Sequence, residues 1–267
     1  MDTKCIEMSN TSKLTIIKVG GSVVTEKAKR FTINKGNLRK ISGDIARLYH
    51  EGWSIVVVHG GGSFGHPVAA LYRLNEGGIG GRKLYGFAET RYWMSVLNLR
   101  VVKALLDEDV PASSLQTSAV AFNDNKMLDY VNVEVVLEFV KRRIVPVLYG
   151  DVVIDKSLGA SILSGDDLAS TLAIKLNATS LVYVMGSGGI YSEPPSKPGA
   201  VLLRKITPST KICVGGVRGI DVTDGVRRKI LCAFEAARRG IRVSIGGVNT
   251  LYSMVVGKED RYTQVKV

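Results

Sequence analysis

Ile55-Val56-Val57-Val58-His59-Gly60-Gly61-Gly62-Ser63-Phe64-Gly65-His66-Pro67 is the stretch on which the fold turns. Four branched aliphatic residues in a row form a short buried strand, and the glycine run that follows is a turn signal. Pro67 suits the first turn of a helix. The same strand, glycine, helix order precedes it. Leu14 to Val19 runs into Gly20-Gly21, and Leu38, Ile41, Ile45 and Leu48 then recur at helical spacing before Gly52 stops the helix.

Downstream the alternation continues. The spacing predicts a helix over 88–107, a strand over Ile144 to Tyr149 and a hairpin over Asp151 to Ile162 that turns near Lys156-Ser157-Leu158-Gly159. It then predicts a helix from Asp167 to Leu176, a strand from Leu181 to Met185, a helix from Val226 to Arg239 and a strand from Ile241 to Ile245. Continuous apolar strands alternating with helices imply an α/β fold, an αβα sandwich with a largely parallel central sheet.

The chain has 267 residues, 45% hydrophobic and 22% charged, which excludes disordered and fibrous classes. Its apolar runs fall far short of the ~20 residues of a bilayer span, so no membrane partner is expected. The leader Met1 to Lys13 lacks the apolar segment of a signal peptide, and the expected location is cytoplasmic. Cys5, Cys213 and Cys232 have no disulfide or zinc spacing. Lys and Arg exceed Asp and Glu by 36 to 24, a formal net charge of +12. The basic residues are dispersed and no nucleic-acid module accompanies them, so a small phosphorylated ligand fits as well, while a solvated positive surface with no specific partner accounts for most of the charge.

Parallel sheets bind ligands beyond the carboxyl ends of their strands, where both glycine clusters fall. Successive glycine N–H groups beside a helix N-terminus form a cradle for phosphate. Gly60-x-Gly62-x-x-Gly65 also matches the dinucleotide fingerprint literally, but in the second strand-helix unit and continued by His66-Pro67; a Walker A motif is absent. Lys18, Lys27 and Lys229 can neutralise charge on a phosphoryl group in transfer. Asp166 either holds those lysines through charged hydrogen bonds or caps a helix.

Lys18-Val19-Gly20-Gly21-Ser22, His59 to His66, Ser164-Gly165-Asp166 and Asp221 to Lys229, in this order, resemble the amino acid kinase family over nearly the whole chain. Within it, the run from His59 to Pro67 looks most like the archaeal isopentenyl phosphate kinases. The resemblance implies one amino acid kinase domain over 1–267, with an acceptor-side lobe over about 14–175 and a nucleotide-side lobe over about 176–267. It implies transfer from ATP, with Mg²⁺, to isopentenyl phosphate in the mevalonate route of isoprenoid biosynthesis, by a homodimer.

By the same resemblance Lys18 and Lys229 contact the transferring group and the nucleotide, Lys27 stabilises the transition state and Asp166 organises the lysines. Gly20, Gly21, Ser22, Gly61 and Gly225 surround the ATP phosphates. Gly60, Gly65, His66 and Gly165 hold the acceptor phosphate, with His66 gripping it. The acceptor's tail requires an apolar slot, drawn from the helices around Val68 to Leu74 and Tyr92 to Val96. No metal ligand is named. Asp224, beside the expected triphosphate, departs from the family pattern, and Met185 to Tyr191 lacks an aspartate common in that loop. Other readings are a kinase of the same fold for another small phosphate or phosphonate of fosfomycin type, a non-catalytic nucleotide or oxyanion binder, and a dinucleotide-dependent oxidoreductase.

Overall fold

The computed structural model of the protein describes residues 13–26, 28–210, 212 and 222–267. Lys27, Cys5, Cys213 and Asp221 lie outside the described residues, as does the side chain of Asp224.

The strands are β1 Leu14–Val19, β2 Ser54–His59, β3 Ala112–Ser114, β4 Ala121–Asp124, β5 Met127–Val131, β6 Val145–Tyr149, β7 Asp151–Asp155, β8 Gly159–Leu163, β9 Ser180–Val184, β10 Lys205–Ile206, β11 Arg242–Gly246 and β12 Thr263–Val265. The helices are α1 Gly21–Val24, α2 Lys35–His50, α3 Gly62–Leu71, α4 Arg82–Leu106, α5 Thr117–Val120, α6 Val133–Lys141, α7 Gly165–Lys175, α8 Val222–Arg238 and α9 Leu251–Val256.

Eight strands form one sheet in the order β10-β12-β11-β9-β1-β2-β6-β3. Its pairs are parallel except β11 with β12. The sandwich follows from strand alternation. Leu14 and Ile16 of β1, with Val56 and Val58 of β2, pack against α6, α7 and α8. Ile17 and Val19, with Ile55 and Val57, face the opposite layer, built from α2, α4 and α9. The αβα architecture expected from the sequence is therefore the one found.

A smaller sheet, β5-β4-β7-β8, carries the expected hairpin, with β7 and β8 paired antiparallel from Asp151↔Leu163 to Asp155↔Gly159. The Asp155 carboxylate accepts backbone N–H groups of Asn125 (3.0 Å), Lys126 (2.8 Å) and Leu158 (2.9 Å), tying the two turns together.

Local signals explain the element ends. Asn34 caps α2, its side chain accepting from Asn37 N at 3.0 Å, and Gly52 at φ 90° takes the chain out of it. Two expectations need correction. Helix α4 begins at Arg82, six residues before the predicted start, because Gly86 is buried inside it and packs on the Tyr72 ring, so this glycine is no helix breaker. Pro67 is not in a first turn: α3 starts at Gly62, which makes Pro67 its sixth residue. The proline cannot donate to the carbonyl of Ser63, and that carbonyl accepts from Phe31 N at 3.3 Å instead.

Candidate active site

Strand β1 lies where the winding of the sheet reverses, with β2 on one side and β9 on the other. Such a switch point leaves a crevice at the strand ends. The backbone ladder extends one residue past each strand there: Gly20 N donates to Val184 O, Gly60 N to Val19 O and Gly150 N to His59 O, each at 2.9 Å. Helices α1 and α3 start immediately after, at Gly21 and Gly62, and α7 starts at Gly165 on the same edge.

The glycines are required by close approach. A Cβ on Gly21 would stand 2.1 Å from Gly62 N, and one on Gly60 would stand 2.7 Å from Gly21 N. Gly62 has φ 48°, a left-handed conformation that glycine adopts freely. Thr25, which no motif in the sequence marks, pins the two loops. Its hydroxyl donates to Gly21 O at 2.8 Å and accepts from Ser63 N at 3.0 Å. Gly61 and Gly65 both lie against the Met94 sulfur of α4.

Lys18 shares a strand face with Leu14 and Ile16, so its side chain runs toward α7 and α8. Its Nζ lies 2.7 Å from Asp166 Oδ1, and Lys229 Nζ of α8 reaches the same oxygen at 2.7 Å. The three residues are only 6–7% exposed. Gly165 lies beside the Lys18 side chain, where an added Cβ would reach ordinary contact, 3.5 Å from Lys18 Cε. Asp166 does not cap α7. Ser164 does, its hydroxyl accepting from Asp166 N at 3.2 Å, which frees the carboxylate for the lysines.

Burial raises the Asp166 carboxyl, but the two ammonium groups outweigh it and hold its pKa down at about 2. Lys229 is lowered to about 8, first by burial and next by the Lys18 charge, with Asp166 pulling the other way. Its ammonium also lies 4.9 Å from the Tyr183 ring centre. Two cations on one carboxylate leave a net positive charge in a nearly dry crevice walled by glycine backbone. An anion with several oxygens is the complement to that arrangement.

The other expected site residues spread around this centre. Ser22 is exposed at the second position of α1, its hydroxyl facing Gly186, where an added Cβ would stand 4.0 Å from it. Gly225 is exposed one turn before Lys229 on α8, with open space around it. His66 is exposed, on the second turn of α3 and directly after Gly65. Val68, Leu74 and Met94, in the segments expected to form an apolar slot, are buried, whereas Tyr92 is exposed. Among the described residues no group of three or more His, Cys, Asp or Glu could hold a metal ion.

Two supporting features have no signal in the motifs. Asp167 binds Arg228 Nε at 2.7 Å, locking α7 to α8 beside the lysine pair. His59 is fully buried and stacks on Tyr149 with ring centres 5.3 Å apart. Its Nε2 accepts from Asn98 Nδ2 at 3.1 Å, so Nδ1 carries the proton and donates to Gly60 O at 3.1 Å. Burial lowers its pKa to about 4, which keeps the ring neutral while it holds the glycine loop.

The family model for amino acid kinases matches residues 13–247. The chain belongs to the amino acid kinase family. Among curated members of that family, the isopentenyl phosphate kinase of Methanothermobacter thermautotrophicus is 33% identical, over 94% of this chain and 98% of its own. That of Methanocaldococcus jannaschii is also 33% identical, over 92% and 96%. A solved X-ray structure of an isopentenyl phosphate kinase superposes with a TM-score of 0.82 at 31% identity, covering 95% of this chain and 100% of that one. The amino acid kinase fold and the family resemblance expected from the sequence are thus the observed ones.

Proposed function

We propose that this protein is a kinase that transfers the γ-phosphoryl group of ATP to isopentenyl phosphate, giving isopentenyl diphosphate for isoprenoid synthesis by the mevalonate route. The observation that carries this reading is the Lys18-Asp166-Lys229 cluster at the glycine-walled strand ends, in a chain similar over nearly its whole length to isopentenyl phosphate kinases.

The chemistry asks little of the protein beyond position and charge. An acceptor phosphate oxygen, ionised near neutral pH, attacks the γ-phosphorus; the new P–O bond forms as the bond to the β-phosphate oxygen breaks, and ADP leaves. No general base is needed. Lys18 and Lys229 neutralise the charge on the oxygens in flight, and Asp166 fixes both ammonium groups before substrate arrives. Lys27 adds a further positive charge in the transition state. Gly20, Gly21, Ser22, Gly61 and Gly225 surround the nucleotide phosphates, supplied by the 176–267 side. Gly60, Gly65, His66 and Gly165 hold the acceptor phosphate on the 14–175 side, where a doubly charged phosphate favours the protonated His66 ring. Mg²⁺ bound to the ATP phosphates would neutralise part of their charge, and no side chain of this chain is assigned to it. The enzyme acts as a homodimer in the cytoplasm.

An acceptor panel at matched concentration tests the reading. Isopentenyl phosphate should yield a diphosphate detectable by ³¹P resonance, while fosfomycin, nucleoside monophosphates and amino acids should react at least ~100-fold more slowly. Turnover of another acceptor at a higher kcat/KM overturns the assignment of substrate. His66→Ala should raise KM for the phosphate acceptor far more than KM for ATP; equal losses would make His66 structural.

A further inference from the structure

We propose that His59, held by Asn98, is a positioning residue for phosphoryl transfer: it clamps the Gly60 carbonyl and so aims the Gly61 and Gly62 N–H groups at the phosphate. Such a role rests on the kinase reading of the crevice and adds to it a residue that touches neither substrate. Gly61 has right-handed helical dihedrals, φ −74° and ψ −30°, and Gly62 follows at φ 48°. That succession turns consecutive N–H groups toward one point, a concavity that suits an anion oxygen. The N–H groups on either side are committed, Gly60 N to Val19 O at 2.9 Å and Ser63 N to Thr25 Oγ1 at 3.0 Å. Gly61 N–H and Gly62 N–H have no acceptor among the described residues, which leaves both for a ligand.

Successive glycines have little intrinsic hold on such a geometry, because each rotates freely. The hold comes from the imidazole. His59 Nδ1 lies 3.1 Å from Gly60 O. The Gly60-Gly61 peptide is trans and planar, with C=O and N–H opposed, so a carbonyl drawn onto the ring sends the Gly61 N–H away from it. The ring shares a strand face with Ile55 and Val57, in the α4 layer. The Gly61 N–H therefore points away from that layer, and Lys18 lies on the opposite face of the sheet.

The clamp works in one tautomer of the neutral ring. Asn98 Nδ2 lies 3.1 Å from Val147 O and 3.1 Å from His59 Nε2. The Val147 carbonyl fixes which end of the amide points inward, so Nε2 accepts and Nδ1 is left to donate to Gly60 O. In the other tautomer two lone pairs would face each other at that contact. Tyr149 stacks on the ring, and its hydroxyl lies 3.3 Å from Ser95 Oγ of α4, so the imidazole is enclosed and has no room to turn over. Burial keeps the ring neutral and the Lys18 charge acts in the same sense, while the bond to Gly60 O opposes both. A side chain that only filled this space would need neither the Asn98 amide nor a fixed tautomer.

Nuclear magnetic resonance of the full chain, labelled with ¹⁵N and free of substrate, reads the clamp directly. His59 should be the Nδ1–H tautomer, unchanged from about pH 5.5 to 8. An Nε2–H tautomer, or titration near the ordinary 6.5, overturns the clamp whatever the acceptor is. Kinetics then test the role. His59→Phe keeps an aromatic ring on Tyr149 but removes the donor, and kcat should fall about 10–100-fold with little change in KM for the phosphate acceptor. His59→Asn, whose amide nitrogen stands near the place of Nδ1, should recover most of that loss. Equal losses in the two variants, or a joint loss of kcat and acceptor affinity, make the ring a packing residue and overturn the proposal. Should neither variant fold, wild type decides: added ATP should shift the Gly61 and Gly62 amide signals, and unmoved signals with ATP bound by calorimetry overturn it. Shifted amides without turnover of any phosphate acceptor would end the kinase reading and keep the clamp.

Discussion

Gly21 and Gly62 touch backbone to backbone across two loops that belong to different strand-helix units. With 2.1 Å between a Cβ on Gly21 and Gly62 N, the smallest side chain forces the loops apart. Gly21→Ala should therefore destabilise the fold by about 1–3 kcal/mol, the usual cost of overpacking. A Tm several degrees lower is expected by calorimetry. Gly43, half-buried on α2 with nothing within 4 Å of an added Cβ, is the control: Gly43→Ala should raise stability slightly.

Lys229 should set an upper pH limit on nucleotide binding. With a pKa of about 8, it carries its charge at pH 7 and loses it by pH 9.5. ATP affinity, measured by titration calorimetry on the free protein, should fall across that window. Lys229→Arg should abolish the fall, since guanidinium stays charged. Because the Lys18 charge contributes to lowering Lys229, Lys18→Met should move the limb to higher pH while reducing kcat by about 10²–10³.

Asp166 is the counter-ion to two buried cations. Asp166→Asn keeps the shape and removes the charge, leaving both ammonium groups without compensation. Breaking a buried ionic arrangement this way costs about 3–5 kcal/mol. Added ATP or inorganic polyphosphate should restore part of the lost Tm, because an anion then takes over the balancing role. A variant as stable as wild type without added anion would contradict the role given to Asp166.

How much of this is legible in the chain depends on whether the signal is local. The strands β1, β2, β6, β9 and β11 are mostly buried and dominated by branched apolar residues, so their runs are legible and fall in place within a residue or two. The amphipathic α2 reads equally well, since Leu38, Ile41, Ile45 and Leu48 are the residues it buries. Residues 108–143 do not. Helix α6 is rich in β-branched valine, which masks helical spacing, although Asn132 caps it by accepting from Val135 N at 3.3 Å. The edge strands β3 and β10, and β12 beside β10, have three residues or fewer and gain their ladders from neighbours far along the chain.

In the site, the glycines, Lys18, Asp166 and Lys229 stand out by motif and charge. What brings the last three onto one oxygen is strand parity at Lys18, a helix start at Gly165 and a helix face at Lys229, 211 positions apart at the extremes. Asp166 has two readings in sequence because Ser164 and Asp166 are both good caps; only the three-dimensional arrangement shows that Ser164 takes the role. Thr25 and Asn98 hold backbone or a neutral ring, and nothing in composition separates such residues from ordinary polar ones.

Two buried groups give the fold opposing responses to pH. His59 titrates at about 4 when folded against its ordinary 6.5, so the unfolded chain takes up the extra proton first and stability falls as pH drops from 6.5 to 4. Asp151 behaves the other way. Burial lifts its carboxyl from 3.8 to about 7, one oxygen accepting from Val152 N at 2.9 Å and the other without a partner among the described residues. Its contribution is present at low pH and is lost as pH rises through 7, where a charged carboxylate must sit nearly dry. Between pH 4 and 6.5 the two slopes offset each other, so wild-type stability from urea denaturation should change little there. Asp151→Asn removes one of them. Its stability should climb with pH over that range and exceed wild type at pH 8 by a few kcal/mol, since each tenfold change in proton affinity on folding is worth ~1.4 kcal/mol. A variant parallel to wild type at every pH would show that Asp151 stays charged in the folded protein.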